Sequence, residues 1–271
     1  MGPKGIIVTL SGLYRDGAQH RWPQHSLLAR ATPTVENWIP YFPEEVGWYI
    51  EQYLERIPGQ LKEREEGTLL DLILSYTPVR YSLVDLMRQS GFYAKDESDE
   101  VILEEVKQDA LRGGVRLLDW REQEGYKPGE NVIHLFAAGA AVQEVLGVAF
   151  QLREEEEGIF ANVFEVTNPH LLLDEKNNDH LLSRLLPESE RRASVITVID
   201  ASEQTLAGIG DRVHGLAGVI RLGVKDFDRS GSRQEVLARH GIDANSIVQV
   251  VRERLKRGDF ARSLRSLESA L

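Results

Sequence analysis

Apolar segments alternate with helix-forming segments throughout the second half of this 271-residue chain. Runs such as VIHLFAA and SVITVID are apolar along almost their whole length, and helix-forming segments with apolar residues three and four positions apart separate them. Strands of this kind are buried on both faces, which is typical of a parallel sheet covered by helices on both sides. Residues 128–271 are therefore predicted to form a three-layer α/β domain with a mostly parallel sheet.

A shorter, partial α/β segment is predicted before this domain, over residues 1–60. Gly5 to Leu10, GIIVTL, is apolar and rich in β-branched residues, and it predicts a buried strand. Pro43, followed by two glutamates, predicts the first turn of a helix, and Pro58-Gly59 is expected to end that helix.

Residues 61–127 are interpreted as a connecting segment with some structure of its own. Leu69 to Ser75 predicts either a strand or a short helix, and apolar periodicity alone does not decide between them. Gly113-Gly114 ends a charged segment that precedes the domain. A structureless connection of this length would be uncommon in a compact domain.

The composition argues against several classes of partner and chemistry. Acidic residues outnumber basic ones by 43 to 32 and no basic stripe is present, so nucleic acid is not an expected partner. The chain contains no cysteine, which removes disulfides and thiolate catalysis. No apolar run approaches the ~20 residues that a membrane-spanning helix needs, so we expect a cytoplasmic protein without a membrane partner.

Common catalytic and metal-binding motifs are also missing from the sequence. It contains no glycine-rich phosphate loop of the Walker or dinucleotide type and no Gly-x-Ser-x-Gly nucleophile turn. Its 7 histidines include no His-x-x-x-His pair for zinc. No metal site is therefore expected within the chain.

Two stretches carry a resemblance to a known family. Asp16 to Pro40 contains DGAQH, RATP and WIP, and Gly17 to His20 spells Gly-x-Gln-His. Asp226 to Arg233 reads DFDRSGSR. The stretches resemble the end of the pyrimidine-binding domain and the C-terminal domain of thiamine-diphosphate enzymes, the family of transketolase and the pyruvate dehydrogenase decarboxylase component. The resemblance implies a transketolase C-terminal-like domain preceded by the tail of a pyrimidine-binding domain.

The resemblance also implies an active-site role for the loop after the first strand. His20 would be the catalytic residue, contacting substrate and moving protons where two domains meet, a task that suits an imidazole near neutral pH. Asp16 and Gln19 would lie beside it as substrate-binding residues. His25 is a secondary candidate, because no family position supports it strongly.

Arg229 and Arg233 are further secondary candidates, for an anion contact or for an ion pair close to a partner's active site. The alternative is a structural role at the start of a helix, with Ser230 or Ser232 as the N-cap and Glu235 in the first turn. The structural alternative is preferred.

The cofactor that the resemblance implies is expected to bind only through another chain. The family clamps thiamine diphosphate through magnesium on a Gly-Asp-Gly…Asn motif, and a glutamate of the pyrimidine domain activates it. This sequence has no such motif and is interpreted as lacking the segment with that glutamate. We therefore expect a partner chain that carries the diphosphate-binding domain and the rest of the pyrimidine domain, whose strands Gly5 to Leu10 would join. A homo- or hetero-oligomer is expected.

Four functions stay open at this point. The first is the C-terminal subunit of a split thiamine-diphosphate-dependent 2-oxo acid dehydrogenase decarboxylase, inactive alone, which supplies the active-site histidine and the oligomerisation domain. Its further candidate partner is an acyltransferase core or a carrier protein. The second is a transketolase subunit that transfers a two-carbon ketol unit. The third is a non-catalytic interaction or scaffold module, and the fourth is a small-ligand binder at the strand ends of the 128–225 sheet.

Overall fold

The computed structural model describes residues 5–11, 32, 34–63, 69–75, 79–155, 158–174, 181–209, 219–225 and 231–256. Its strands form two sheets, one of three strands and one of five, and most neighbouring strands are parallel. The predicted α/β fold class is confirmed. The described helices include none that is long and apolar enough to cross a membrane.

The small sheet contains β1 (Gly5–Ser11), β2 (Val35–Trp38) and β3 (Leu69–Ser75), all parallel, in the order β1-β3-β2. Leu69 to Ser75 is therefore a strand, and it lies at the centre of the sheet. Helix α1 (Pro43–Glu63) packs on one face, where Trp38 stacks on Tyr49 with ring centroids 4.2 Å apart. Both side chains are completely buried, so this stack anchors the helix to the sheet.

The end of α1 corrects the sequence prediction. The helix begins at Pro43 as expected, but it continues beyond Pro58-Gly59 to Glu63. A proline inside a helix removes one N–H donor, here the one that would bind the carbonyl of Leu54. The side chain of Leu54 is half exposed, so this turn of the helix faces water, which can satisfy the carbonyl.

Two helices, α2 (Leu83–Gln89) and α3 (Asp99–Ala110), lead from the small sheet to the large one. Each starts at a serine whose hydroxyl accepts a hydrogen bond from a backbone N–H of the first turn, Ser82 from Asp85 and Ser98 from Val101. Their apolar faces pack with the edge of the large sheet in one continuous core.

The large sheet contains β4 (Gly114–Leu118), β5 (Val132–Ala138), β6 (Phe160–Val166), β7 (Ser194–Ser202) and β8 (Val219–Val224). The order is β4-β6-β5-β7-β8, and only the β4–β6 pair is antiparallel among these described strands. β4 comes from the segment assigned to the connection, so this sheet begins before residue 128. The division of the chain at residues 60 and 127 otherwise stays a prediction.

The helices of the second half are α4 (Ala141–Glu155), α5 (Pro169–Leu173), α6 (Leu181–Leu185), α7 (Arg233–His240) and α8 (Ala244–Lys256). Apolar side chains of α4, α7 and α8 pack on one face of the large sheet, and those of α5 and α6 pack on the other. This arrangement is the predicted three-layer domain.

The chain continues directly from β7 into short helical turns. Residues 203–206 form a 3-10 turn and residues 207–209 are helical.

The turn between α3 and β4 requires a glycine at position 113. Gly113 has a φ of +112°, and its carbonyl accepts hydrogen bonds from the N–H groups of Thr167 and Asn168 at 3.0 and 3.2 Å. A Cβ atom on Gly113 would lie 2.5 Å from the backbone nitrogen of Leu172. The turn thus brings the end of α3 directly against the end of β6.

We expect Gly113→Ala to lower the free energy of unfolding by about 3 kcal/mol or more, because backbone strain combines with overlap against a neighbouring backbone. Urea unfolding followed by circular dichroism measures the loss. Gly125→Ala is the matched control, since Gly125 has a φ of +82° but nothing lies within 4 Å of its added Cβ. A loss of about 1 kcal/mol is expected for the control, and equal losses in both variants would contradict the close approach at Gly113.

Candidate functional site at the junction of the two sheets

The predicted active-site loop lies outside the described residues, but the strand that leads into it is described. β1 ends at Ser11, which pairs with Ser75 at the carboxyl edge of the small sheet. β2 runs in the same direction, so Trp38 leaves the sheet from that same edge. The candidates that lie outside the described residues are Asp16, Gln19, His20, His25 and Arg229.

Residues 39–42 carry the chain from the small sheet onto the carboxyl edge of the large sheet. The N–H of Ile39 donates to the carbonyl of Thr167, directly after β6, at 2.8 Å. The hydroxyl of Tyr41 donates to Oε1 of Gln143, in the first turn of α4 after β5, at 3.2 Å. Open α/β sheets usually bind ligands at such strand ends. Here residues 39–42 contact the chain just after β5 and β6. A small ligand bound at the strand ends of this sheet would need the same position.

Glu45 closes the start of α1 by reaching back along the chain. Its Oε2 accepts hydrogen bonds from the N–H groups of Tyr41 and Phe42, at 2.9 and 3.0 Å. The first-turn N–H groups of a helix have no partner within the helix, and a glutamate three residues after the cap commonly supplies one. Glu45 is therefore a capping residue, and it is only 1% exposed.

Glu165 brings a second carboxyl group to the same place from β6. Its Oε1 accepts from the N–H of Tyr41 at 3.2 Å, so this amide is shared between Glu165 and Glu45. Glu165 is also 1% exposed. The two glutamates thus meet at the junction from opposite sides, one from the helix of the small sheet and one from a central strand of the large sheet.

Burial dominates the electrostatics of these two carboxyl groups. It raises the pKa of Glu45 to about 7, although the N–H groups of Phe42 and Tyr41 favour the charged form and lower it. Burial, followed by the negative charge of Glu45, raises the pKa of Glu165 well above its ordinary value. The same two causes raise the pKa of the buried Tyr49 phenol well above its usual range.

The junction can therefore hold a proton, and its geometry gives it a positioning role. Both carboxyl groups are enclosed, so no substrate could contact them without separating the two sheets. The described residues include no group of three or more His, Asp and Glu side chains that could hold a metal ion. Glu165 was not among the residues predicted from the sequence. The signal that could have found it is a charged residue within a strand that was predicted to be buried on both faces.

Arg233 is the one sequence candidate that the structure describes. Its guanidinium lies 2.7 Å from Oε1 of Glu144, and both side chains are mostly buried. Ser232 is the N-cap of α7 and forms a full capping box with Glu235. These contacts support the structural alternative, in which Arg233 fixes α7 against α4.

A second polar cluster occupies the opposite edge of the large sheet. Arg116 lies 3.0 Å from Oε2 of Glu190, and Asn162 donates to Nδ1 of His134 at 3.2 Å. Nε2 of His134 lies 3.1 Å from the carbonyl of Glu190, a distance at which it can donate a hydrogen bond. These side chains lie near the amino ends of β5 and β6, away from the edge where parallel sheets bind ligands, and their role is to satisfy one another.

A cavity of about 300 Å³ lies beside β4, between α2, α3 and α6. Apolar side chains such as Met87 and Leu185 line it together with three arginines. Each guanidinium already lies against a carboxylate of the chain, so the cavity offers paired rather than available positive charge. The three residues are Arg116, Arg121 and Arg184.

Solved structures with a similar fold include transketolases, whereas no protein-family model and no curated sequence matches the chain. A mutant transketolase from Pichia stipitis aligns with 93% of this chain and 30% of its own, at 16% identity and a TM-score of 0.64. Transketolase from Leishmania mexicana aligns with 92% of this chain and 30% of its own, at 16% identity and a TM-score of 0.61. The chain therefore spans less than a third of the length of these transketolases.

A split-gene transketolase, solved as an inactive tetramer of beta chains, also has a similar fold. It aligns with 93% of this chain and 67% of its own, at 18% identity and a TM-score of 0.51. At such identities the matches establish a common fold. The resemblance to the transketolase fold that the sequence predicted is thereby confirmed.

A double-mutant cycle tests the pairing of Arg233 with Glu144. We expect Arg233→Met and Glu144→Gln each to lower the free energy of unfolding. The double variant should lose about 1 kcal/mol less than the sum of the two single losses, because either change alone removes the same contact. Urea unfolding of the four proteins gives the coupling. The control is the exposed pair Lys127 and Glu130, 3.5 Å apart, for which no measurable coupling is expected. Full additivity at Arg233 would contradict the pairing.

Proposed function

We propose that the chain is one section of a thiamine-diphosphate-dependent enzyme of the transketolase type, and that a separate partner chain completes its active site. The fold that it shares with transketolases supports the enzyme class. The match to a beta chain of a split-gene transketolase supports the division between two chains. The observation that carries the proposal is that β1 is an edge strand with exposed apolar side chains.

β1 has the features of a strand made to be covered by another chain. It pairs with β3 along its whole length, and among the described residues no strand pairs with its other edge. Three consecutive apolar side chains on it are exposed: Ile6 by 40%, Ile7 by 44% and Val8 by 56%. An exposed, apolar edge strand is a template for pairing with another chain. Ile6 and Val8 lie on one face of the sheet and Ile7 on the other, so a partner that adds strands at this edge and packs on both faces would bury them.

The described residues do not fit the cofactor on their own. They contain no cluster of acidic and histidine side chains for magnesium, and the chain has no Gly-Asp-Gly…Asn sequence. In this proposal the partner chain holds thiamine diphosphate and magnesium. When bound, that cofactor supplies the stabilisation of a carbanion, which side chains alone provide poorly.

The contribution proposed for this chain is the imidazole of His20. Its loop starts at the carboxyl end of β1, the edge of the small sheet from which residues 39–42 cross to the large sheet. Transfer of a ketol unit breaks one carbon–carbon bond and forms another. A hydroxyl group becomes a carbonyl in the first step and a carbonyl becomes a hydroxyl in the second, so protons must move near neutral pH. His20 is proposed to exchange a proton with a substrate oxygen, with Asp16 and Gln19 beside it as substrate contacts.

A 2-oxo acid dehydrogenase decarboxylase is the second candidate function. Gly17 to His20 and Asp226 to Arg233 favour it, because both stretches resemble that branch of the family more closely. An acyltransferase core or a carrier protein would then be a further partner. Assays of the assembled enzyme with a ketose phosphate and with pyruvate separate the two functions.

We expect His20→Ala to lower kcat/KM of the assembled enzyme by about 10²- to 10⁴-fold, the usual contribution of a positioned general acid or base. The assay uses this chain mixed with its co-purified partner, thiamine diphosphate and magnesium. His25→Ala is the matched control from the same loop, and it should retain near-normal turnover. Unchanged activity in His20→Ala would remove His20 from the proposed mechanism without affecting the assignment of the partner.

We expect Val8→Lys to weaken binding of the partner chain by about 100-fold, because a charged side chain would have to be buried at the edge of β1. Isothermal titration calorimetry with the partner measures the change. The control is Val101→Lys on α3, which replaces another exposed valine, 42% exposed, away from β1. If both variants bind equally well, the partner does not cover β1.

A further inference from the structure

The contact between Glu45 and Glu165 brings two acidic groups together, and no cation among the described residues forms an ion pair with either of them. On the large sheet, the residues paired with Glu165 are Val115 and Ala137, both apolar. On α1, the neighbouring titratable group is the phenol of Tyr49, which is neutral at neutral pH.

In the part of the chain that the structure describes, the other groups around the junction do not supply a cation to the pair either. Tyr41 contributes its backbone N–H to both carboxyl groups and its hydroxyl to Gln143. The guanidinium of Arg233 is engaged by Glu144 on the neighbouring helix. Transfer of one unpaired carboxylate out of water is costly, and two adjacent ones also repel each other.

One proton resolves this conflict. Oε2 of Glu165 is buried and accepts no hydrogen bond from any group of the described chain. A proton on this carboxyl group would turn it into a donor toward Glu45. Glu45 is the better site for the negative charge, because two backbone N–H groups and the positive end of α1 already favour it.

We propose that Glu45 and Glu165 bind one proton between them and that this proton holds the small sheet against the large sheet. The junction is then a pH-sensitive latch that weakens as the solution becomes alkaline. This inference rests on contacts within the chain and does not depend on the proposed enzymatic function.

The direction of the pH dependence follows from which state binds the proton. Burial raises the pKa of both glutamates in the folded state, so the folded chain keeps a proton that the unfolded chain releases. The stabilisation is complete below the ordinary pKa of glutamate and is lost as the pH rises through the raised pKa of the pair in the folded chain. Within this window, the equilibrium constant for unfolding should rise by up to about tenfold per pH unit.

Glu165→Gln tests the latch in the complete chain. Glutamine can donate its amide to Glu45 but cannot take up a proton, so we expect the slope of the logarithm of the unfolding constant against pH to fall by about one between pH 5 and 7. Urea unfolding at a series of pH values measures this slope. Glu190→Gln is the matched control, because Glu190 is equally buried but is balanced by Arg116, and its slope should equal that of the unmodified chain. Equal slopes in Glu165→Gln and the unmodified chain would overturn the proposal.

Two spectroscopic readouts separate the latch from a general loss of stability. The infrared carbonyl band of a protonated carboxyl group should be present in the folded chain at neutral pH and absent in Glu165→Gln. Hydrogen-exchange protection of the Tyr41 and Phe42 amides should fall with rising pH in the unmodified chain and stay constant in the variant. Glu45→Gln is the second variant, should Glu165→Gln fail to fold. The absence of the carboxyl band from the unmodified chain would also overturn the proposal.

Discussion

One backbone amide, that of Tyr41, has to serve two carboxyl groups that arrive from different parts of the chain. Glu45 lies four residues away, and Glu165 lies on a strand 124 positions further along. A buried carboxyl group without a donor is unstable, so both groups keep the crossing segment in one place. The start of α1, the end of β6 and the path between the sheets are therefore fixed by the same set of hydrogen bonds.

This constraint has a consequence for any active site that includes the loop after β1. The small sheet is held by its crossing segment and by a continuous apolar core that reaches the large sheet. The carboxyl end of β1, from which the loop continues, is consequently held in a defined position. A catalytic side chain on a loop depends on such a rigid base, because small displacements of a reacting group have large effects on rate. The enclosed glutamates contribute to that base without touching a substrate.

The sequence predicted the parts of the fold that depend on local chemistry. Alternating apolar segments predicted the three-layer domain. Pro43 marked one helix start correctly, and of the two serines considered for another start, Ser230 and Ser232, the structure has Ser232 as the N-cap. The predicted end of α1 was wrong, because water at the half-exposed Leu54 can satisfy the carbonyl that loses its partner at Pro58. β4 was not recognised as part of the large sheet, since its antiparallel partner is distant in sequence. The Glu45–Glu165 contact was missed for the same reason, and His20 stays a prediction.

The direction of β1 limits what can extend the small sheet. All three of its strands are parallel. Two copies of this chain that continued one sheet across a twofold axis perpendicular to it would meet with their β1 strands antiparallel, and antiparallel pairs use a different hydrogen-bond spacing. A foreign chain is free of this symmetry and can continue the parallel pattern. A second copy of this chain would therefore pair with β1 in the antiparallel direction, whereas a different protein can pair with it in the parallel direction. Either one would contact the same three apolar side chains.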